Sequence, residues 1–139
     1  MMNKQQKRYA MAKAKYQLAK DEVKAYEHAF IIRKDVHNGD GSVPDCLWAM
    51  DEESDELFNS LCDELENDKE YLALCDAETQ AYKNFQAAEE SLIDYGLSLP
   101  MPENIRKTLS EHRKDYKVRD RLIDLTFQLN TKTVNGVSA

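Results

Sequence analysis

The residues best suited to catalysis or metal binding are three cysteines and three histidines, and their spacing matches no common site. The cysteines are separated by 16 and 13 residues, and no CxxC pair occurs. Structural zinc sites combine closely spaced Cys and His pairs, which these positions do not supply. We therefore expect three reduced thiols and no metal site. The six residues are Cys46, Cys62, Cys75, His28, His37 and His112.

The motifs of well-known catalytic and cofactor sites do not occur in this chain. The sequence lacks the phosphate-binding patterns GxxxxGK[ST] and GxGxxG, the nucleophile motif GxSxG and the zinc motif HExxH. The string NGDG at 38–41 is similar to a calcium loop, but Val36 and Leu47 then occupy the first and last carboxylate positions. These observations predict a protein that is not an enzyme and needs no cofactor.

Carboxylates dominate the middle of the chain, where residues 37–99 hold 17 Asp and Glu against 2 Lys. Carboxylates three and four residues apart on a helix lie about 5–6 Å from each other, a spacing comparable to that of successive phosphates on a strand. A helix over about 52–66 would present such a face to a basic groove of a partner protein. The alternative is a solvated face that only keeps the protein in solution. The residues assigned to the interaction are Trp48, Glu52, Glu53, Glu56, Asp63, Glu64 and Glu70.

Trp48 is the only tryptophan, and it lies in an apolar segment, Leu47–Met50, that has no helical periodicity. Two interpretations remain open. Its ring is either a plug laid over the core where two helices meet, or an anchor that a partner protein buries.

Basic residues near the C-terminus suggest an alternative function. Seven Lys and Arg fall within positions 106–121, at a spacing loosely compatible with a helix–turn–helix. Three acidic residues dilute this patch, and the net charge of −7 repels phosphates at long range. DNA or RNA binding, helped by Lys4, Lys7 and Arg8, is therefore the alternative. The residues are Arg106, Lys107, Arg113, Lys114, Lys117, Arg119 and Arg121.

Helices are the elements that must position these side chains, since 4 Gly and 3 Pro in 139 residues are too few for a β-sandwich or barrel. Over about 4–35, apolar residues recur at alternating spacings of three and four, forming a heptad seam from Tyr9 to Phe30. This seam predicts a long basic helix. It packs either on another helix of the chain or on a second copy in a homodimer.

The remaining elements follow from turn residues and a second seam. A loop over 37–50 holds two glycines and a proline, an acidic helix covers about 52–66, and a long helix covers about 68–95. The alternative is one continuous helix over 52–95, since no residue there forbids it. Asn67 with Glu70 predicts a capping box at the start of the helix over 68–95, and Gly96 predicts its C-cap. A helical pair over about 102–130, whose last helix begins near residue 115, precedes a frayed tail at 131–139.

The predicted fold is all-α: an antiparallel helical hairpin or bundle of four to five helices, with a Gly-containing loop after the first long helix. Residues 1–130 are expected to form a single domain. The longest runs of aliphatic or aromatic residues have four members, as at 29–32, which is far short of the roughly 20 residues of a membrane span, and no apolar segment follows the basic N-terminus. Together with the unpaired cysteines, this predicts a cytoplasmic protein that does not contact a membrane.

A small, helical, charge-segregated chain without motifs is similar in character to accessory proteins of phages and mobile elements, including inhibitors of host defence. That resemblance implies a target that handles nucleic acid or serves defence. The predicted function is accordingly a protein–protein interaction module, an inhibitor or adaptor that presents an acidic helix to a basic partner and so imitates a nucleic acid.

Overall fold

A computed structural model describes residues 2–51 and 55–134, with side chains described through residue 128. Within these residues the chain forms five α-helices, one 3-10 turn and no strand, which confirms the all-α prediction. The helices are α1 (Lys4–Arg33), α2 (Asp55–Glu66), α3 (Lys69–Leu97), α4 (Glu103–Glu111) and α5 (Tyr116–Val134), and the 3-10 turn covers Leu47–Ala49. None of the five helices, as far as they are described, combines the length and apolar character that a bilayer crossing requires.

The two ends of α1 are capped in different ways. At its start, Asn3 and Gln6 form a reciprocal capping box, in which each side-chain oxygen accepts the other residue's backbone N–H at 2.8 Å. At its end, Val36 N–H donates to the carbonyl of Ile31 at 3.3 Å, and Asp35 takes a left-handed conformation with φ 55°. This C-cap usually carries glycine, because a side chain is strained at that φ.

The chain divides into two compact units of opposite charge. The basic unit comprises residues 1–14 and 83–139, and the acidic unit comprises residues 15–82. The basic unit holds 13 Lys and Arg against 8 Asp and Glu, a net +5. The acidic unit holds 6 against 18, a net −12, and the two values together give the chain's −7.

In the acidic unit, α1 and α3 run antiparallel. Tyr16 contacts Tyr82 with ring centroids 5.1 Å apart, and Tyr26 contacts Tyr71 at 5.8 Å. These contacts correspond to the intramolecular alternative for the first seam. The core below them consists of Phe30, Ile31, Val36, Leu47, Leu61 and Leu65, with α2 covering one side.

The basic unit has its own core, in which Leu92 and Ile93 of α3 pack against Leu122 and Ile123 of α5. Gly96 is buried within α3 and does not form the predicted C-cap, since the helix continues to Leu97. A Cβ at this position would lie 3.2 Å from Cγ2 of Thr126. The glycine therefore permits a close approach of α5 to α3.

The N-terminus of α3 is capped by a different residue from the one predicted. Oδ1 of Asp68, not Asn67, accepts the backbone N–H groups of Glu70 and Tyr71, at 3.0 and 3.2 Å. Its second oxygen accepts the hydroxyl of Tyr26. Asp68 therefore satisfies the free N–H groups of the first turn and also ties α3 to α1 within the acidic unit.

Candidate protein-interaction surface

Trp48 projects from the acidic unit into solvent. Its side chain is 86% exposed, whereas the preceding Leu47 is 6% exposed and belongs to the core. The interpretation of Trp48 as a plug over the core is therefore wrong, because Leu47 and Met50 of the same segment fill that place. The indole contacts Phe58 of α2, with ring centroids 5.6 Å apart. Trp48 and α2 consequently belong to one surface.

Backbone and side-chain hydrogen bonds hold the segment that carries Trp48. The amide of Asn38 accepts the backbone N–H of Asp51 at 3.0 Å and donates to the carbonyl of Ala49 at 3.3 Å. The carboxylate of Asp51 in turn accepts the N–H of Gly39 at 2.7 Å. These bonds tie the C-terminal side of the segment to the loop at Asn38 and Gly39.

The acidic helix α2 buries one face and exposes the other. Leu61 and Leu65 lie in the core, and the carboxylates of Glu56, Asp63 and Glu64 are exposed. Glu64 forms an ion pair of 2.8 Å with Lys34, whose side chain is 40% exposed. Exposed pairs of this kind contribute little to stability, and Glu56 and Asp63 form no ion pair with a described residue.

The prediction includes three further carboxylates, which precede or follow α2 in the sequence. Glu70 is exposed in the first turn of α3, where a carboxylate complements the helix dipole. Glu52 and Glu53 lie outside the described residues. Of the seven residues assigned to the partner surface, five are therefore placed, and all five are exposed.

A buried carboxylate that the sequence reasoning did not single out anchors the Trp48 segment from below. Glu27 is 7% exposed; its Oε1 accepts the backbone N–H of Leu47 at 3.1 Å, and its Oε2 accepts the Tyr71 hydroxyl at 3.0 Å. A signal was available, since Glu27 lies four residues after Val23 and three before Phe30, and therefore on the buried face of α1.

A cavity of about 300 Å³ in the acidic unit opens beside this carboxylate. Cys46, Cys75, Trp48 and Tyr71 are among its lining residues. Burial raises the pKa of the Cys75 thiol, and it also raises the pKa of Cys62 elsewhere in the unit. A thiol that stays protonated is a poor nucleophile, so Cys75 is not activated in the way that a catalytic cysteine is. The described residues contain no group of three or more His, Cys, Asp or Glu arranged to hold a metal ion.

Three of the seven basic residues considered for nucleic acid binding are engaged inside the basic unit. Arg119 donates to Glu89 and Glu90 of α3, in both cases at 2.7 Å, and Arg113 donates to Glu90 and Asp94 at 2.8 and 2.7 Å. Arg106 donates to the carbonyl of Leu97, the last residue of α3, at 2.8 Å, and to that of Leu99 at 2.9 Å. Intramolecular acceptors therefore occupy these guanidinium groups.

The other four basic residues point into solvent. Lys107, Lys114, Lys117 and Arg121 are exposed and form no ion pair with any residue that the structure describes. Four cations are fewer than the seven that the sequence suggested, and they alternate with exposed acidic residues such as Glu111 and Asp120.

Comparison of the chain with protein-family models, with curated proteins and with solved structures finds no match.

Proposed function

We propose that this chain is a non-enzymatic protein–protein interaction module, an inhibitor or adaptor, whose acidic unit binds a basic surface of a partner protein. The observation that carries the proposal is the contact of the exposed Trp48 ring with Phe58 of α2, which places a large aromatic side chain beside an acidic helix face. Interfaces typically combine such a central aromatic anchor with charged residues around it.

The charge distribution supports the same partner chemistry. A net charge of −12 on 68 residues creates a strongly negative field, which attracts basic surfaces and accelerates their association. The exposed carboxylates of Glu56, Asp63 and Glu64 supply acceptors for Arg and Lys side chains. A groove that normally binds nucleic acid is the kind of partner surface that suits this arrangement.

Nucleic acid binding by the basic unit is the weaker alternative. Arg106, Arg113 and Arg119 already donate to acceptors within that unit, and a phosphate would have to displace them. The four exposed cations remain as the support for this alternative. It predicts DNA or RNA affinity that falls steeply with salt, whereas the acidic surface predicts none at any salt concentration.

The test is capture from lysate by the tagged chain, with and without nuclease treatment. We expect a basic protein to be captured in both cases, and to be lost with the triple variant Glu56→Lys/Asp63→Lys/Glu64→Lys and with Trp48→Ala. The matched control is Asp21→Lys/Glu22→Lys/Asp76→Lys, which makes the same charge change at exposed positions of α1 and α3. This control should still capture the partner, with only a modest decrease in the rate of association.

Two results would contradict the proposal. One is equal capture of the same protein by the triple variant and the wild type, with both shown by circular dichroism to be folded. The other is bound material that disappears with nuclease, since the exposed cations of the basic unit would then be the binding site.

A further inference from the structure

The basic unit carries an apolar groove that none of the unit's described side chains fills. A cavity of about 420 Å³ is lined by Leu109 of α4 and by Arg121, Leu122, Asp124, Leu125 and Gln128 of α5. Its size lies within the range of about 300–1,000 Å³ that is typical of ligand pockets. Leu122 forms the floor with 1% exposure, and α4 buries none of its own residues. Ile105, one turn before Leu109, is 46% exposed and extends the apolar face of α4.

On the α5 side, Arg121 and Asp124 line this groove, and Lys117 lies one turn before Arg121. Lys117 and Arg121 lie one turn apart on α5 and precede Leu125 by eight and four residues, so the three side chains share a helix face. Neither cation forms an ion pair with a described residue, whereas Asp124 contributes one carboxylate to the rim. The unit as a whole has a net charge of +5.

The acidic unit presents the complement of such a groove. Trp48 is 86% exposed, more than any other large apolar side chain among the described residues, and Leu57 of α2 is 44% exposed. Asp45 and Asp51, both exposed, flank the tryptophan in the chain. An exposed indole with aspartates before and after it in the chain suits an apolar groove beside two cations, because the ring can enter the groove while the carboxylates pair with Lys117 and Arg121.

We propose that a second copy of this chain occupies the groove: Trp48 of one copy inserts between α4 and α5 of the next, with Lys117 and Arg121 facing the carboxylates around it. Because the two surfaces differ, the contact is head-to-tail and leaves one surface of each kind free at the ends of an assembly. Charge complementarity between a unit of −12 and a unit of +5 favours this occupant over an uncharged apolar ligand.

The experiment uses the purified full-length chain alone. In sedimentation velocity at low ionic strength, we expect the average mass to rise with protein concentration and to fall when salt is added. Trp48 is the only tryptophan, so its fluorescence should shift to shorter wavelength as association buries it. Trp48→Ala and Lys117→Glu/Arg121→Glu should each weaken association by about 30-fold or more, as expected for the loss of an interface hot spot.

Mixing the two variants distinguishes a head-to-tail contact from a symmetric one. Trp48→Ala retains an intact groove, and Lys117→Glu/Arg121→Glu retains an intact tryptophan, so their mixture should form a complex of one copy each and stop there. The control Lys4→Glu/Lys83→Glu makes the same charge change at exposed positions of the basic unit and should associate like the wild type.

A wild-type chain that stays monomeric at all concentrations and salts would overturn the inference, and so would association that either variant leaves unchanged. A mixture that does not restore a complex would also overturn it. The inference shares Trp48 with the proposed partner surface, but it is tested without any partner. Failure of self-association therefore leaves capture of a basic partner untouched, and the reverse also holds.

Discussion

The hydroxyl of Tyr71 donates to Oε2 of Glu27 at 3.0 Å, and this bond joins α3 to α1 inside the acidic unit. The other carboxylate oxygen accepts the N–H of Leu47 at 3.1 Å. The buried side chain of Glu27 thus bonds both to α3 and to the turn from which Trp48 projects. Because a buried donor without an acceptor is costly, we expect the integrity of the partner surface to depend on Glu27.

Replacing Glu27 tests this dependence. Glu27→Ala leaves the Leu47 N–H and the Tyr71 hydroxyl without their acceptor, and it should lower the free energy of unfolding by about 2–4 kcal/mol in urea denaturation at neutral pH. Glu27→Gln is the matched control, since its amide oxygen still accepts one of the two bonds, and it should lose about half as much. Midpoints equal to that of the wild type for both variants would show that the two bonds contribute nothing.

The same cluster predicts a loss of stability at alkaline pH. Burial, followed by the hydrogen bond to Glu27 and the charge of that carboxylate, raises the pKa of Tyr71 above its usual value of 10.0. The unfolded chain therefore releases this proton at lower pH than the folded chain does. The contribution of Tyr71 to the free energy of unfolding is fully present below pH 10.0. It is lost as the pH rises toward the pKa of Tyr71 in the folded chain.

Urea denaturation at several pH values between about 8 and 11 measures this effect. We expect the free energy of unfolding to fall above about pH 10, and to fall less steeply in Tyr71→Phe. Some of the slope should remain, because the pKa values of Tyr9 and Tyr26 are raised as well. Tyr116→Phe, at a side chain that is 68% exposed, is the control and should leave the slope unchanged. Identical slopes in all three proteins would contradict the role of Tyr71.

The helical fold was predictable from local pattern alone. Burial in a helix repeats every three to four residues, so the spacing of Val23, Tyr26 and Phe30 in α1, and of Ala88 and Leu92 in α3, already marks the faces that the structure buries. These signals involve neighbours along the chain. They require no knowledge of which helix packs on which.

The details that the sequence did not predict all depend on residues far apart in the chain. Asp68, and not Asn67, caps α3. The second carboxylate oxygen of Asp68 accepts the hydroxyl of Tyr26, which lies 42 residues earlier in the chain. Gly96 serves a close approach to Thr126 instead of a helix end. For the same reason, a single sequence shows that Arg119 is basic, but not that Glu89, 30 residues before it, accepts its hydrogen bonds.

The ion pairs of Arg119 lead to a third prediction. Its side chain is 17% exposed, and its Nε and Nη1 atoms donate to Glu89 and Glu90 at 2.7 Å. Arg119→Ala should therefore lower the free energy of unfolding by about 1.5–3 kcal/mol, the range for hydrogen bonds to charged groups. Arg119→Lys keeps the charge but lacks the planar guanidinium, so its free energy of unfolding should lie between those of the wild type and Arg119→Ala.

Lys117→Ala is the matched control for Arg119. Lys117 lies two residues earlier on α5, is exposed and forms no ion pair within the described residues, so its removal should change the free energy of unfolding by less than about 0.5 kcal/mol. High salt should reduce the difference between Arg119→Ala and the wild type, because Glu90 is 49% exposed and therefore screened. Equal stability of Arg119→Ala and Lys117→Ala would show that the pairs do not stabilise the basic unit.

The contact of Gly96 with Thr126 gives the last prediction. In an open helix, Gly→Ala is stabilising by up to about 1 kcal/mol. At Gly96 the new Cβ would lie 3.2 Å from Cγ2 of Thr126, which is 1% exposed and whose hydroxyl is held by the carbonyl of Ile123 at 2.7 Å. Overpacking of this kind costs about 1–3 kcal/mol, so Gly96→Ala should destabilise the protein.

Thr126→Ser identifies the cause, because it removes the opposing methyl group and keeps the hydroxyl. If the methyl contact is responsible, Gly96→Ala should be less harmful, or even stabilising, in the Thr126→Ser background. The coupling energy of the double-mutant cycle should then be about 0.5–3 kcal/mol in favour of the double variant. Additive effects would show instead that the cost arises elsewhere, since the Cβ also lies 3.6 Å from the carbonyl oxygen of Leu122, which no side-chain substitution removes.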